Sequence, residues 1–421
     1  MKRLRVLHTG THGSRRGIVL VFALAVAIVL GGLAWALLVM NLGTERVRVQ
    51  DKAYQRSFYA AEAGLSDAYV RVTSGVIDPR VDLPATVGSP DDPMRLGPLS
   101  YWVDIEAAAG SRSYNLRSTG FNDGAQERLE MVLAQRPNGF FQYACFGAEG
   151  VQLNSNAFID SYDSSLGSYQ SQVQGGNEFA LENGNVGSND DITLLSNTEI
   201  HGDCTPGPTG ILDDSAPRTY ISGSTDPAEE AFPMPPIEVP AIPSSGSMVR
   251  STDLVLGPGE VHLDSLLMSG GTTLTLVGPA TIVLDDYSMR SGATMFFDAT
   301  NGEIELHGTG NFVLESNTVM RTLSDSALDV TILLSGNNMD PGQRDRIELS
   351  SNADFVGAIY APRISYSLGS NFDVYGSIIC GRLSLASNGE IHFDEALLYD
   401  GDGEPEYDVR LWHELPPLPE N

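Results

Sequence analysis

From Gly17 to Leu42 no residue carries a charge. As a helix, residues 17–40 would reach about 36 Å, enough to cross a hydrocarbon layer of about 30 Å with some tilt. A cleaved secretory signal has a shorter apolar core, about 7–15 residues, before a small-x-small site. This run is too long for that pattern. Residues 1–16 hold Lys2, Arg3, Arg5, Arg15 and Arg16 and no acid. By the positive-inside rule this basic end stays cytoplasmic and the rest of the chain is exported from the inner membrane.

Beyond the apolar run the chain is acidic. Lys+Arg is 25 against 54 Asp+Glu, a formal net charge of −29 over 421 residues. A surface of that sign cannot meet phosphates, so nucleic acid is excluded as a general partner. The 44 glycines and 23 prolines suit a turn-rich β protein. Three cysteines, Cys145, Cys204 and Cys380, are too few for a disulfide framework or a four-thiolate zinc site.

The helical pattern continues beyond the membrane. Tyr54, Phe58, Ala61, Leu65, Ala68 and Val72 recur every three or four residues, one apolar stripe on a helix. No proline interrupts 18–78, so the spacing predicts one helix over that range, with Gly31-Gly32 as the point of bending. An ordinary anchor with a stalk would give the same pattern.

Two phrases in this stretch narrow the choice. Arg15-Arg16-Gly17-Ile18-Val19-Leu20-Val21 stands at the start of the apolar run, and Ser57-Phe58-Tyr59-Ala60-Ala61-Glu62-Ala63-Gly64-Leu65 comes after it. Together, over about residues 14–75, they resemble the N-terminus of the PilX family of type IV pilus assembly proteins, or minor pilins. The resemblance implies cleavage by prepilin peptidase between Gly17 and Ile18, with Arg15, Arg16, Gly17 and Ile18 as the processing site. It also implies methylation of the new terminus and packing of the helix among other pilins. Most pilins carry a glutamate at the fifth mature position; here that position is Phe22. PilX-type members often lack it, and its absence implies a minor, tip or priming subunit.

Residues 79–99 read as a Pro-, Asp- and Gly-rich loop. Three alternating runs come next: Tyr101–Ala107, Arg112–Phe121 and Glu127–Gln135, with an Asn122-Asp123-Gly124 turn between the last two. They predict an antiparallel meander whose apolar face packs on the stripe of the helix.

From Phe140 the texture changes. Leu153-Asn-Ser-Asn156 recurs as Leu194-Leu-Ser-Asn197, Leu314-Glu-Ser-Asn317, Leu349-Ser-Ser-Asn352, Leu368-Gly-Ser-Asn371 and Leu385-Ala-Ser-Asn388. Met268-Ser-Gly-Gly271 and Met289-Arg-Ser-Gly292 are variants. A repeat of about 18–20 residues predicts stacked coils of a β-solenoid. In it the leucines form a core column, and Asn317, Asn352, Asn371 and Asn388 form a ladder at left-handed bends. A β-sandwich with Ser-Asn turns is the alternative. Segments Ile159–Asp163, His201–Asp203, Phe355–Pro362 and Ile391–Ala396 also resemble a domain of unknown function that accompanies PilX-type N-termini, over about 140–400. That resemblance implies a fold and no activity.

Chemistry-bearing clusters are sparse. Asp285-Asp286 is the one adjacent Asp pair of the main coils, and no lysine occurs after Lys52. His201-Gly202 and His307-Gly308 have no Arg-x-Lys phrase beside them. The expectation is no enzyme and no cofactor. Asp400-Gly401-Asp402-Gly403-Glu404 offers Asp400, Asp402 and Glu404 as weak calcium ligands, but Leu411 stands where an EF-hand needs its last acid. Cys145 and Cys204 are a candidate bridge, and Cys380 a buried small hydrophobe.

The fold class is therefore α+β then all-β: a long transmembrane and pilin-like helix with a small antiparallel meander, then a right-handed parallel β-helix-like solenoid. The division is a basic leader (1–17), the helix (18–78), the meander (79–139), a first β-solenoid segment (140–204), a Pro-rich linker or excursion (205–247), the main solenoid (248–400) and an acidic, Pro-rich tail (401–421). The function expected is a minor pilin-like or pseudopilin-like subunit in pilus assembly or surface display. Its partners are other pilins, prepilin peptidase and the inner membrane. The head's ligand is open between a surface polysaccharide and a host or cell-surface molecule. The alternative is a single-pass anchored binding or adhesion protein that does not polymerise.

Overall fold

The computed structural model describes residues 16–79, 82–108, 112–173, 179–310, 312–315, 317–323, 326–336, 346–349, 354–401 and 405–416. The chain forms two compact units, one from residues 1–134 with 407–421 and one from 135–406.

The first unit is built on a helix, Arg16–Thr73, unbroken through Gly31 and Gly32. It ends five residues before the limit that the absence of proline allows. The reason is Gly75, which takes φ +69° while the Gly75 and Ile77 amides return to the Val72 and Arg71 carbonyls. Such a left-handed glycine closes a helix because it has no Cβ to clash.

Beside the helix lie strands Leu99–Ala107, Ser113–Asn122 and Ala125–Gln135, paired antiparallel in succession. Asp123 and Gly124, both at positive φ, make the two-residue turn between the last two. Ala61, Leu65, Ala68 and Val72 are buried against Val103, Ile105, Leu116, Leu129 and Leu133. Two differences from the sequence-based expectation stand out. The stretch 79–99 contributes short strands Ala85–Val87 and Met94–Leu96 to the sheet. Residues 407–415, expected to be part of a tail, form a strand that joins Ala125–Gln135 and buries Tyr407 beside Tyr114.

The second unit is β-rich with parallel ladders. One column of residues runs through nine successive rungs: Val261, Ile282, Leu306, Ile332, Ile359, Ile378, Cys145, Val186 and Cys204. Met268 pairs with Met289 and Met289 with Leu314; Leu368, Leu385, Leu153 and Leu194 continue in the same way farther along the stack. These are the residues that open the repeated phrases, and all are buried. A second sheet, of strands Leu254–Leu256, Thr273–Val277, Thr294–Asp298 and Val319–Thr322, is also parallel.

The order of rungs in space is not the order in sequence. The segment 145–205 does not precede the main coils; it stacks beyond the last of them, with Cys145 on Ile378 and Ile159 on Ile391. Leu212–Asp213 and Tyr220–Ile221, inside the stretch expected to be a linker, add one more partial rung. The chain must then return to the opposite end of the stack at Ser247–Arg250, and residues 222–246 make that return as a strap. Phe232 exchanges two hydrogen bonds with the Asn189 side chain, at 2.7 and 2.9 Å. Farther along, Tyr360 Oη donates to the Pro235 carbonyl at 2.5 Å, and the Ser245 amide donates to the His262 carbonyl at 2.8 Å. Proline suits this course, since an extended chain without amide donors can lie across rungs without seeking strand partners.

Candidate functional site

Two features of the chain bear on function, one in each unit. The first is the division of the long helix. Between Leu20 and Leu42 its apolar side chains are exposed, Phe22 at 71% and Trp35 at 68% among them, while Ala60 and Ala61 are fully buried. One helix thus has an unpacked apolar half, long and apolar enough to cross a membrane, and a half docked on a sheet. Small residues make the docking close. A Cβ at Gly120 would stand 2.0 Å from the Ser57 carbonyl oxygen, and one at Gly64 2.3 Å from Ser118 Oγ. The alanines and glycine of the Ser57–Leu65 phrase therefore have a packing reason: they let the helix backbone approach the sheet. Tyr101 Oη donates to Asp67 at 2.9 Å, and Arg71 pairs with the same carboxylate at 3.0 Å. Burial and this carboxylate push the Tyr101 phenol up to about 12.

The second feature is a buried polar cluster where the first β segment meets the last coil. His392 Nδ1 lies 2.6 Å from Asp160 Oδ1, and Nε2 3.3 Å from Glu390. The imidazole stacks on Tyr375, with ring centroids 4.8 Å apart, and packs at a tilt against Tyr169, at 4.0 Å. Tyr169 Oη and the Ala180 amide complete the shell of Asp160. Burial pulls the His392 pKa down, but hydrogen bonds and charge from Asp160 and Glu390 outweigh it and hold the ring up to about 8. Beside it Asp394 accepts from the amides of Ser164, Ala327 and Ala396. Ser161 donates to Glu395 at 2.8 Å, and burial raises both the Asp394 and Glu395 carboxyls. The sequence places Asp160 and His392 within the phrases Ile159–Asp163 and Ile391–Ala396 but assigns them no role. The signal available was Glu-x-His at 390–392, repeated at 199–201, 260–262 and 305–307.

The residues singled out in the sequence lie in both units. Arg16, Gly17 and Ile18 begin the helix, and Arg15 lies outside the described residues. Asn317, Asn371 and Asn388 take left-handed φ of 58, 55 and 58°, while Asn352 lies outside the described residues. The ladder is also longer toward the chain's first segment: Asn197 donates to Asn156, Asn156 to Asn388 and Asn388 to Asn371, at 2.8, 2.8 and 3.1 Å. Asp400 ends the one-turn helix Glu395–Tyr399, and Asp402 and Glu404 lie outside the described residues.

The expected Cys145–Cys204 bridge does not form. Both stack on Val186, one from each side, so two strand spacings of about 4.8 Å separate them, beyond disulfide reach. All three cysteines are free and buried, and burial raises each thiol pKa. His262, Asp264 and Asp285 lie together, but His262 Nδ1 is held by the Ile242 carbonyl and Asp285 by Thr309.

Residues 223–399 match the model of a domain of unknown function (DUF7305), which spans the strap and the main coils. No curated protein matches the chain. Among solved structures, the competence-associated pilin ComZ from Thermus thermophilus aligns at 11% identity with a TM-score of 0.25. The alignment covers 86% of this chain and 98% of that one.

Proposed function

We propose that this protein is a minor pilin-like subunit that carries a closed, right-handed β-solenoid head. The observation that carries the reading is the two-part helix, apolar and unpacked over 20–42 and docked on an antiparallel sheet over 57–72. An apolar half of this kind first holds the protein in the inner membrane and then packs among the helices of other pilins. The basic terminus stays cytoplasmic, prepilin peptidase cuts between Gly17 and Ile18, and the acidic head is displayed outside.

The solenoid reading rests on the nine-rung column and on a second parallel sheet running through the main coils. We assign the head a display or adhesive role and no catalysis: the His392–Asp160 pair is buried against two tyrosines, and His262, beside Asp285, is held by the Ile242 carbonyl. A head of some 270 residues would crowd a repeating shaft, which favours a tip or priming position.

The test is N-terminal mass spectrometry of the protein from its own envelope, with and without prepilin peptidase. A mature terminus at Ile18 that depends on the peptidase is expected. An intact start before Gly17 in both strains would overturn the pilin reading and leave an anchored binding protein.

A further inference from the structure

Asp264 and Asp285 stand at matching places on adjacent rungs, between the aligned pairs Leu263–Leu284 and Ser265–Asp286. Like charges directly opposite each other on neighbouring strands destabilise a sheet. Neither carboxylate has an arginine or lysine partner among the described residues. The group beside them is His262, two positions before Asp264 on strand Gly259–Met268. Its Nε2 lies 3.3 Å from Asp285 Oδ2, and one ligand atom from each of the three side chains falls within 4.8 Å of the other two.

The atoms turned away from this meeting point are held from outside it. The strap's Ile242 carbonyl lies 2.6 Å from His262 Nδ1, which places the proton of the neutral ring on Nδ1 and leaves the Nε2 lone pair facing Asp285. Thr309 donates to Asp285 Oδ1 at 2.7 Å, and Ser244 of the strap donates to Asp264 Oδ1. Each side chain thus has one atom fixed and another left for a ligand. Metal sites use this outer shell: a backbone carbonyl on the far imidazole nitrogen sets the tautomer, and hydrogen-bonded carboxylates hold their aim. Two lone pairs that face each other across 3.3 Å can be joined only by a proton or a cation. Ligands at 2.0–2.1 Å from a tetrahedral ion stand about 3.3 Å apart, which fits a cation between them. Asp264 is exposed, so its carboxylate can turn in to close the remaining distance.

We propose that His262, Asp264 and Asp285 bind one zinc ion where the strap rejoins the stack. The donor set selects the metal. Two carboxylates neutralise a divalent charge, and an imidazole nitrogen favours zinc over calcium and magnesium, which take oxygen ligands. The role is structural: with Ile242 and Ser244 tied to its ligands, the ion fastens the end of the strap to two adjacent rungs. The inference concerns the head alone and does not depend on pilus assembly.

The experiment is a calorimetric titration of the full-length protein, in detergent micelles and stripped with EDTA, with zinc chloride and separately with calcium chloride. Saturable zinc binding is expected, with calcium at least about tenfold weaker. His262→Gln and Asp264→Asn should each weaken this zinc site by more than about a hundredfold, since a ligand is lost, and Ser244→Ala by about tenfold, the effect of an outer-shell partner. Asp264→Asn, at an exposed position, should leave the urea midpoint in EDTA unchanged. Zinc should raise the midpoint of the native head and not that of the variant. Zinc held elsewhere on the chain would survive all three substitutions. Zinc affinity unchanged in His262→Gln and Asp264→Asn, calcium bound as tightly as zinc, or no saturable zinc binding would each overturn the proposal. Peptidase processing plays no part in this readout, so its failure and that of the pilin reading are distinguishable.

Discussion

Asn156 Nδ2 donates to Asn388 Oδ1 at 2.8 Å, across 232 positions of sequence. That bond marks the seam where strands 151–153 and 158–162 pair with 383–385 and 390–394. Both residues sit at left-handed bends, with φ of 61 and 58°. Asn388→Ala should therefore lose two hydrogen bonds, to Asn156 and to Asn371, and add backbone strain, together about 2–3 kcal/mol. Asn388→Gly keeps the bend and should cost less. Urea unfolding of the two variants measures the difference, and equal costs would refute the strain argument.

The same seam is sensitive to pH. His392 has its pKa held up to about 8, above its ordinary 6.5, by partners that exist only in the folded state. Its contribution is full below about pH 6.5 and is lost as pH rises through about 8. The shift corresponds to about 2 kcal/mol. The head's unfolding midpoint should fall across that window in the native protein. In Asp160→Asn the window should flatten, on a baseline lower by about 3 kcal/mol because a buried charge loses its partner.

The helix-on-sheet contact depends on missing side chains. Gly120→Ala would press a methyl group into the Ser57 carbonyl and the Ala61 amide. The helix must lift, at a cost of about 2–3 kcal/mol to the first unit. Gly31→Ala meets nothing within 4 Å and should be neutral or slightly stabilising. Limited proteolysis of the first unit reads both, and equal resistance of the two variants would contradict the packing argument.

The strap connects two ends of a stack that is held by its own ladders. A protease site placed between Glu229 and Glu230, in an exposed stretch, should be cut without release of either piece. The segment 145–205 keeps its pairing with 373–394 whether or not the strap is continuous. Co-elution of the fragments on size exclusion without denaturant is the expected result, and separation would show that the strap itself holds the seam.

The cysteines should be silent. With all three thiols buried and their pKa values raised, alkylation by iodoacetamide should require unfolding. Mobility on a gel should be the same with and without reductant. Labelling of the folded protein would refute this.

Much of the architecture was legible because its periods are local. The stripe from Phe58 to Val72 and the alternation from Tyr101 to Leu133 each specify a buried face, and the two faces meet. The repeated Leu-x-Ser-Asn phrase foretold both the leucine column and the asparagine bends. The cluster around His392 was not legible, because Asp160, Tyr169 and Tyr375 stand apart in the sequence from Glu390-x-His392, and no local spacing relates them to it.

By itself the sequence determined which residues face inward and where the chain bends. Those choices come from side-chain polarity, from the pleat of a strand and from the left-handed tolerance of Asn and Gly. It also determined the membrane-competent run, through an absence of charge over residues 17–42. Only the tertiary structure decided the order of the rungs. Every rung offers the same open backbone edge and the same apolar column, so local pattern permits 145–205 to stack at either end. What selects the far end is complementarity spread over distant positions: Asp160 against His392, Ser161 against Glu395, and a strap long enough and apolar enough at Phe232 and Ile237 to carry the chain back.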